Sequence, residues 1–317
     1  MAIGLECDCD SAGIGNTGVA SCIPKFGVTK MLIFQPLYAS DGTKNHLDRT
    51  VTMDAAYING LINNTDRSKA IYPVGYDIKN VAKTKSESTK QTYDDGSIYP
   101  ISSGVYAFTA IYPEAGPVFA SILNSVHCTE VGIYEVNAGG SVRGYNDAEN
   151  GDKIYPSPLS KATIEAIWND QSDNVLENTV LNFQFDPNFR PEYLEIIPSS
   201  EFVGINMLGL RGLIDVNSTN VSCSTTVLVV KLRTKYNTPV KGLVITDFYD
   251  VAGGTASKVY NVTDSAALAL TSVVESPSGT YTLTMTVAQT VADKIRVTPV
   301  KTGFDYTAVI ANTATVA

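Results

Sequence analysis

Side chains that do chemistry are scarce in this chain. Its 317 residues include 2 histidines and 1 tryptophan, and only 17 % of them are charged. Soluble domains average about 25 % charged residues, so much of the surface must be Ser, Thr, Asn, Gly and Tyr. Such a surface costs little to desolvate and suits permanent contact with other subunits. No run of about 18 apolar residues occurs, so no membrane-spanning helix is expected. The opening Met1-Ala-Ile-Gly-Leu-Glu-Cys-Asp-Cys-Asp10 has neither a basic stretch nor an apolar one and does not read as a signal peptide. Without a secretory context the N-x-S/T sites at Asn63, Asn217, Asn220 and Asn261 carry no weight. The HExxH, GxSxG and P-loop patterns are all missing.

The remaining candidates for chemistry are weak on spacing alone. His127 precedes Cys128, but catalytic partners meet across a fold rather than side by side in sequence. At the end of an expected helix, His127 suits the dipole; His46 has no such context. Gly13-Ile-Gly-Asn-Thr-Gly18 matches GxGxxG in letters, yet no strand precedes it and no acidic residue closes a βαβ unit. The five cysteines are Cys7, Cys9, Cys22, Cys128 and Cys223. Their spacings are not those of zinc sites, so reduced structural thiols are expected. Asp94 and Asp95 sit in a turn, where Asp serves the backbone, and Glu192, Glu195 and Glu201 are scattered. No catalytic residue, metal or cofactor is expected, and the chain does not read as an enzyme.

What is present is an uneven charge. Residues 1–224 hold 15 Lys and Arg against 26 Asp and Glu, a net of −11; residues 225–317 hold 8 against 6, a net of +2. The break falls in Asn217-Ser-Thr-Asn-Val-Ser-Cys-Ser-Thr225, a polar run with the composition of a linker. An acidic chain without an arginine-rich face is a poor sequence-specific nucleic-acid binder. The expected organisation is an N-terminal arm (1–28), an acidic β domain (29–220) and a near-neutral domain (221–317).

Within the acidic domain the patterns are mostly of strands. Met31–Tyr38 and Val105–Tyr112 are apolar runs of strand length. Asp54–Asn63 places Ala55, Ile58, Leu61 and Ile62 at helical spacing behind a capping Asp54. Pro117–Val126 puts Val118, Ile122 and Val126 on one face, with Pro117 suited to a first turn. Asp94-Asp-Gly96 and Asn137-Ala-Gly-Gly140 read as hairpin turns. Lys161–Trp168 and Thr179–Phe185 alternate. In the last 90 or so residues, Thr280-Tyr-Thr-Leu-Thr-Met-Thr-Val287 alternates throughout. Val227–Leu232, Leu243–Thr246, Ser257–Val262, Ala267–Val273, Ile295–Thr298 and Asp305–Ile310 bring the expected count to about seven short strands, the pattern of an immunoglobulin-like sandwich without its Cys…Trp…Cys core. The fold class is therefore mainly β: an antiparallel sandwich or barrel domain with a flanking short helix, then an immunoglobulin-like β-sandwich.

The order of elements from about Ser68 to Val216 resembles the tail tube proteins of tailed bacteriophages. The resemblance lies in Tyr76–Lys90 answered by Thr92–Tyr99, then strand Val105–Tyr112 leading into helix Pro117–Val126. The hairpin Glu130–Tyr145 follows, and Gly151–Leu159 feeds the strand that ends at Trp168. It covers about half the chain and is one of layout. It implies six copies in a ring whose sheets join into a barrel, rings stacked into a tube within the virion, assembly in the host cytoplasm and contact with other tail proteins. Double-stranded DNA would pass through the channel without specific binding. Lys79, Lys83, Lys85, Lys90, Asp94 and Asp95, on the extension that would reach the next ring, are the candidate inter-ring contacts. The acidic domain is expected to line the channel, because basic linings release counterions and hold phosphate. The competing readings are a capsid decoration or head–tail connector, and a surface carbohydrate-binding module.

Overall fold

The computed structural model describes residues 25–75, 77–102, 104–146, 151–248, 258–306 and 313–317. The chain divides into two compact units, Met1–Gly212 and Leu213–Ala317. That boundary lies before the polar run taken for a linker. Asn217–Cys223 belongs to strand Ile214–Cys223, paired antiparallel with Val227–Thr234. Its Val216 and Cys223 reach the core while most of the side chains between them stay outside. The run is polar because one of its faces is wet, and its backbone bonds are made with a strand that composition cannot see. Moving the boundary transfers Asp215, so the two units carry −10 and +1.

The first unit is built on two antiparallel sheets. One runs in the order Leu194–Ile197, Val142–Tyr145, Val131–Asn137, Thr29–Pro36, Tyr72–Pro73, with Ser157–Pro158 also on Val131–Asn137. The other is four-stranded: Glu165–Asn169, Asn178–Gln184, Tyr106–Pro113, Lys79–Lys85. Between them lies one apolar core containing Leu32, Phe34, Ile133, Phe108, Tyr112, Leu181 and Phe183. Phe108 and Phe183, cross-strand partners, stack at 4.7 Å, and Phe185 stacks on Phe189 at 4.5 Å. Helix Pro117–Asn124 closes the flank, burying Phe119, Ala120 and Leu123. Helix Ala55–Ile62 forms behind Asp54, which accepts from the Tyr57 N–H at 2.8 Å, and buries Ile58 and Ile62.

The second unit is also a pair of sheets around one core. Five strands run Leu270–Glu275, Thr280–Met285, Val227–Thr234, Ile214–Cys223, Phe304–Asp305, and four run Ala266–Ala267, Val259–Asn261, Lys294–Val297, Thr313–Thr315. Leu228, Val230, Leu232, Tyr281, Leu283, Val259 and Ile295 share the interior. The Tyr281 hydroxyl donates to the Val240 carbonyl at 2.8 Å.

Some expected elements are different. Leu243–Thr246 is not a strand: a short helix occupies Ile245–Phe248, its start fixed by Asp247 accepting from the Val244 N–H. The strand expected from Lys161 begins only at Glu165, because Ala162 has φ 60°, in the left-handed region. Strand Leu194–Ile197 carried no period-2 signal, and the alternating Thr313-Ala-Thr-Val316, whose Ala314 and Val316 are buried, lies outside the strands expected from the sequence. Of the N-terminal arm, only its last residues are described. Phe26 is buried under the Arg143 guanidinium, 4.2 Å from the ring centroid, and the Ala138 N–H donates to the Val28 carbonyl. The CxC pair, Cys22 and the Gly13–Gly18 stretch lie outside the described residues, as does the end of the strand expected to reach Ile310. Cys128 is exposed and Cys223 buried, both as thiols.

Candidate assembly surface

The two faces of the four-stranded sheet are chemically unlike. Alternation sends Phe108, Ala110, Tyr112, Leu181 and Phe183 inward. It sends Thr109, Ile111, Val180, Asn182, Gln184 and Ile167 outward, where none is buried. Registers place Lys79 level with Ile111, and Glu165 level with Asn182. Within the strands, these two are the only charged side chains on the outer face, and they stand at opposite edges. The expected acid lining is thus not found on this face. The unit's acids lie mainly in turns and loops, among them Asp41, Asp66, Asp95, Asp170, Asp173 and Asp186. Turns recruit Asp to accept backbone N–H groups, as Asp41 does from Thr43 and Asp66 from Ser68, so net charge does not report which surface is acidic.

The Lys79–Lys85 edge of this sheet is open within the unit, whereas on the Glu165–Asn169 edge the Asn124 side chain bonds the Ala166 N–H at 2.8 Å and the Ala166 carbonyl at 2.9 Å. Lys79–Lys85 is exposed at every position except half-buried Val81, and Glu165–Asn169 everywhere except Ala166. Beyond Lys85 the chain leaves the sheet as a hairpin, Thr89–Thr92 paired with Ile98–Ser102. The stem is fastened where the Ser86 N–H donates to the Val105 carbonyl and the Val105 N–H to the Ser86 hydroxyl. A Cβ on Gly104 would fall 1.6 Å from the Ser86 carbonyl oxygen, so the two chains cross here only because position 104 is glycine. The arm buries almost nothing: Tyr93, Ile98, Tyr99 and Ile101 are 49 to 62 % exposed. Tyr93 and Tyr99 meet edge to face at 5.6 Å.

The six residues singled out from sequence have separate fates. Lys79 is hydrogen-bonded to Asp77, two residues away. Lys83 turns inward, over the Phe108 ring, and pairs with Glu135. It is therefore held within its own chain. Lys85 lies over the Tyr106 ring at 5.1 Å, and Lys90 projects from the arm. Asp94 and Asp95 form the tip. Asp95 accepts from the Ser97 hydroxyl and N–H, and these bonds hold its carboxyl below the usual range.

Sequence reasoning missed Glu135. It is a buried carboxylate in an otherwise apolar strand, bonded to Lys83, to Arg143 at 3.0 Å and to the Thr29 hydroxyl at 2.7 Å. Burial pushes its carboxyl up; the adjacent Lys83 and Arg143 charges and the hydrogen bonds more than offset this, and the net shift is downward. The network ties the open edge strand Lys79–Lys85 to the other sheet. A lone Glu in Val131-Gly-Ile-Tyr-Glu-Val136 was its sequence signal, since an unpaired buried charge is too costly to keep. The apolar Ile98-Tyr-Pro-Ile101 opposite polar Thr89–Thr92 was likewise the signal of an exposed arm. His127 makes a 2.8 Å contact with the Ile164 carbonyl, and the Trp168 indole donates to Glu177 at 2.8 Å. No helix among the described residues is long and apolar enough to cross a membrane.

No protein-family model matches the chain, and no curated protein matches it. Among solved structures, one chain in the six-fold symmetrised cryo-EM structure of the anti-feeding prophage baseplate aligns over 56 % of this chain and 99 % of its own length. The alignment has 8 % identity and a TM-score of 0.24. An overlap this slight carries no argument about fold or function.

Proposed function

We propose that this chain is a virion structural protein that assembles into stacked six-membered rings, forming the tail tube of a bacteriophage. The observation that carries the reading is the four-stranded sheet with one open edge, a second edge covered at Ala166 by Asn124, and a nearly uncharged outer face. Each of its strands is antiparallel to the next, so its two edge strands run in opposite senses. Rotation about a ring axis leaves strand sense unchanged. The Glu165–Asn169 edge of one copy therefore meets the Lys79–Lys85 edge of the next as an antiparallel ladder. Closing the ring removes edges that would otherwise pair at random.

Six copies with four strands each give about two dozen strands. At ~4.8 Å per strand the barrel is ~37 Å across before tilt, wider than porin barrels that already hold water. For DNA to slide, the wall has to avoid releasing counterions, and that requires few cations rather than many acids. A face with one Lys and one Glu meets this condition. The arm then reaches the adjacent ring, and the C-terminal unit, with two sheets around one core, is an appended immunoglobulin-like module.

Negative-stain electron microscopy of the purified chain at high concentration tests the proposal. Six-fold rings and stacks of them are expected; a protein that stays monomeric by analytical ultracentrifugation and shows no rings overturns it. Lys85→Pro, which removes an N–H facing the open edge rather than one bonded to Tyr106–Pro113, should abolish rings while leaving the far-ultraviolet spectrum of the monomer unchanged.

A further inference from the structure

A strand edge can be held by a side chain as well as by another strand, because a carboxamide offers a donor and an acceptor side by side. That is the arrangement at Ala166. Its N–H donates to the Asn124 Oδ1 at 2.8 Å, and its carbonyl accepts from the Asn124 Nδ2 at 2.9 Å. Asn124 ends helix Pro117–Asn124. The chain just beyond it continues the cover: the His127 carbonyl accepts from the Ala162 N–H at 2.9 Å, and His127 Nδ1 lies 2.8 Å from the Ile164 carbonyl.

Register shows how much of the edge is taken. Glu165, Ile167 and Asn169 bond to Asn178–Gln184, so Ala166 and Trp168 turn their backbone groups outward. Asn124 holds both groups of Ala166, and no other described residue meets those of Trp168. On the opposite edge the Ser86 N–H bonds to Val105, so the backbone groups of Lys83 and Lys85 face outward, and no described side chain holds them.

We propose that Asn124 is an autoinhibitory latch. It occupies the N–H and carbonyl of Ala166 that the Lys79–Lys85 strand of a second copy needs, and it has to swing away before that strand can pair along the whole edge. The inference rests on the ring reading for the identity of the incoming strand and adds what restrains it. The exchange at Ala166 is like for like, an amide side chain for an amide backbone, so it leaves no backbone group unbonded. Asn124 is itself exposed, and its amide can turn to water while Phe119 and Leu123 stay in the core. A copy on its own is thereby shielded from indiscriminate strand addition. The incoming strand also bonds Trp168, which Asn124 leaves untouched, so the ladder wins when copies are concentrated.

The test adds a fluorescent peptide of residues 79–85 to the full chain. Its control is the same peptide N-methylated at Lys83 and Lys85. Both carry the same charge, and only the first offers those two N–H groups to a ladder. Asn124→Ala should bind the first peptide about tenfold more tightly than wild type does, the shift expected for two ordinary hydrogen bonds. It should show no gain for the methylated peptide. Equal affinity of the two chains, or a gain shared by both peptides, overturns the inference. In the wild-type protein, saturating amounts of the first peptide should move the Asn124 side-chain amide signal in 15N NMR; an unmoved signal also overturns it. Assembly separates the latch from the ring reading. Rings of Asn124→Ala at about one tenth of the wild-type concentration support both. Rings at the same concentration in both chains, without a peptide gain, remove the latch and leave the tube. A peptide gain without rings at any concentration keeps the latch and removes the tube, and the absence of both responses removes both.

Discussion

The arm and the sheet it grows from are continuous in chain and opposite in burial. In the sheet, Phe108, Tyr112, Leu181 and Phe183 are at most 2 % exposed; in the arm, Ile98, Tyr99 and Ile101 are at least 60 % exposed. The sheet is stabilised by apolar surface removed from water. The arm has no such source, and a two-stranded hairpin alone is marginal. The difference separates residues that hold the fold from residues available for a partner, and it makes opposite demands on substitutions in the two regions.

The largest effect should come from the sheet. Phe183→Ala removes a ring stacked on Phe108 and edge-on to Phe185; denaturant unfolding of the first unit should lose about 3–5 kcal/mol. Glu135→Gln, at the clamp between the sheets, leaves Lys83 and Arg143 without their counter-charge and should cost about 3 kcal/mol. It has a pH signature. The Glu135 carboxyl is depressed in the folded protein, so its contribution is fully present above the unfolded value, near pH 4.3. That contribution is lost as pH falls through the folded value. The stability gap between wild type and Glu135→Gln should therefore narrow on acidification below about pH 4, and a gap that widens there would show that Glu135 is not held ionised.

At the junction, Gly104→Ala forces the Ser86 and Val105 chains apart. About 1–3 kcal/mol should be lost, with faster amide exchange along the arm than in Tyr106–Pro113. Removing a cap should cost less: Asp54→Ala should destabilise helix Ala55–Ile62 by about 1 kcal/mol, read as faster exchange of the Tyr57 amide. Smallest of all, Tyr99→Ser should leave unfolding within about 0.5 kcal/mol of wild type. If it destabilises as Phe183→Ala does, the arm is part of the core and the comparison fails.

The local signals in this chain were readable where one segment sufficed to make them. Asp54 as a helix cap, Pro117 at a first turn, the Asp94-Asp-Gly96 hairpin and the alternation of Thr280–Met285 all appear as expected. Each depends on residues a few positions apart, whose geometry is set by backbone sterics and short-range hydrogen bonds. The inward turn of Lys83 was not readable, because it depends on a partner far along the chain. Lys83 and Glu135 are 52 residues apart; only the packing of one sheet on the other brings an edge lysine to a buried carboxylate. By itself, the sequence determined the class of the fold and where its turns fall, since alternation and turn chemistry are local. The tertiary structure decided which face of the four-stranded sheet is bare, which lysine pairs with a buried carboxylate of its own chain and which apolar side chains stay exposed, because strand register and the stacking of sheets settle all three.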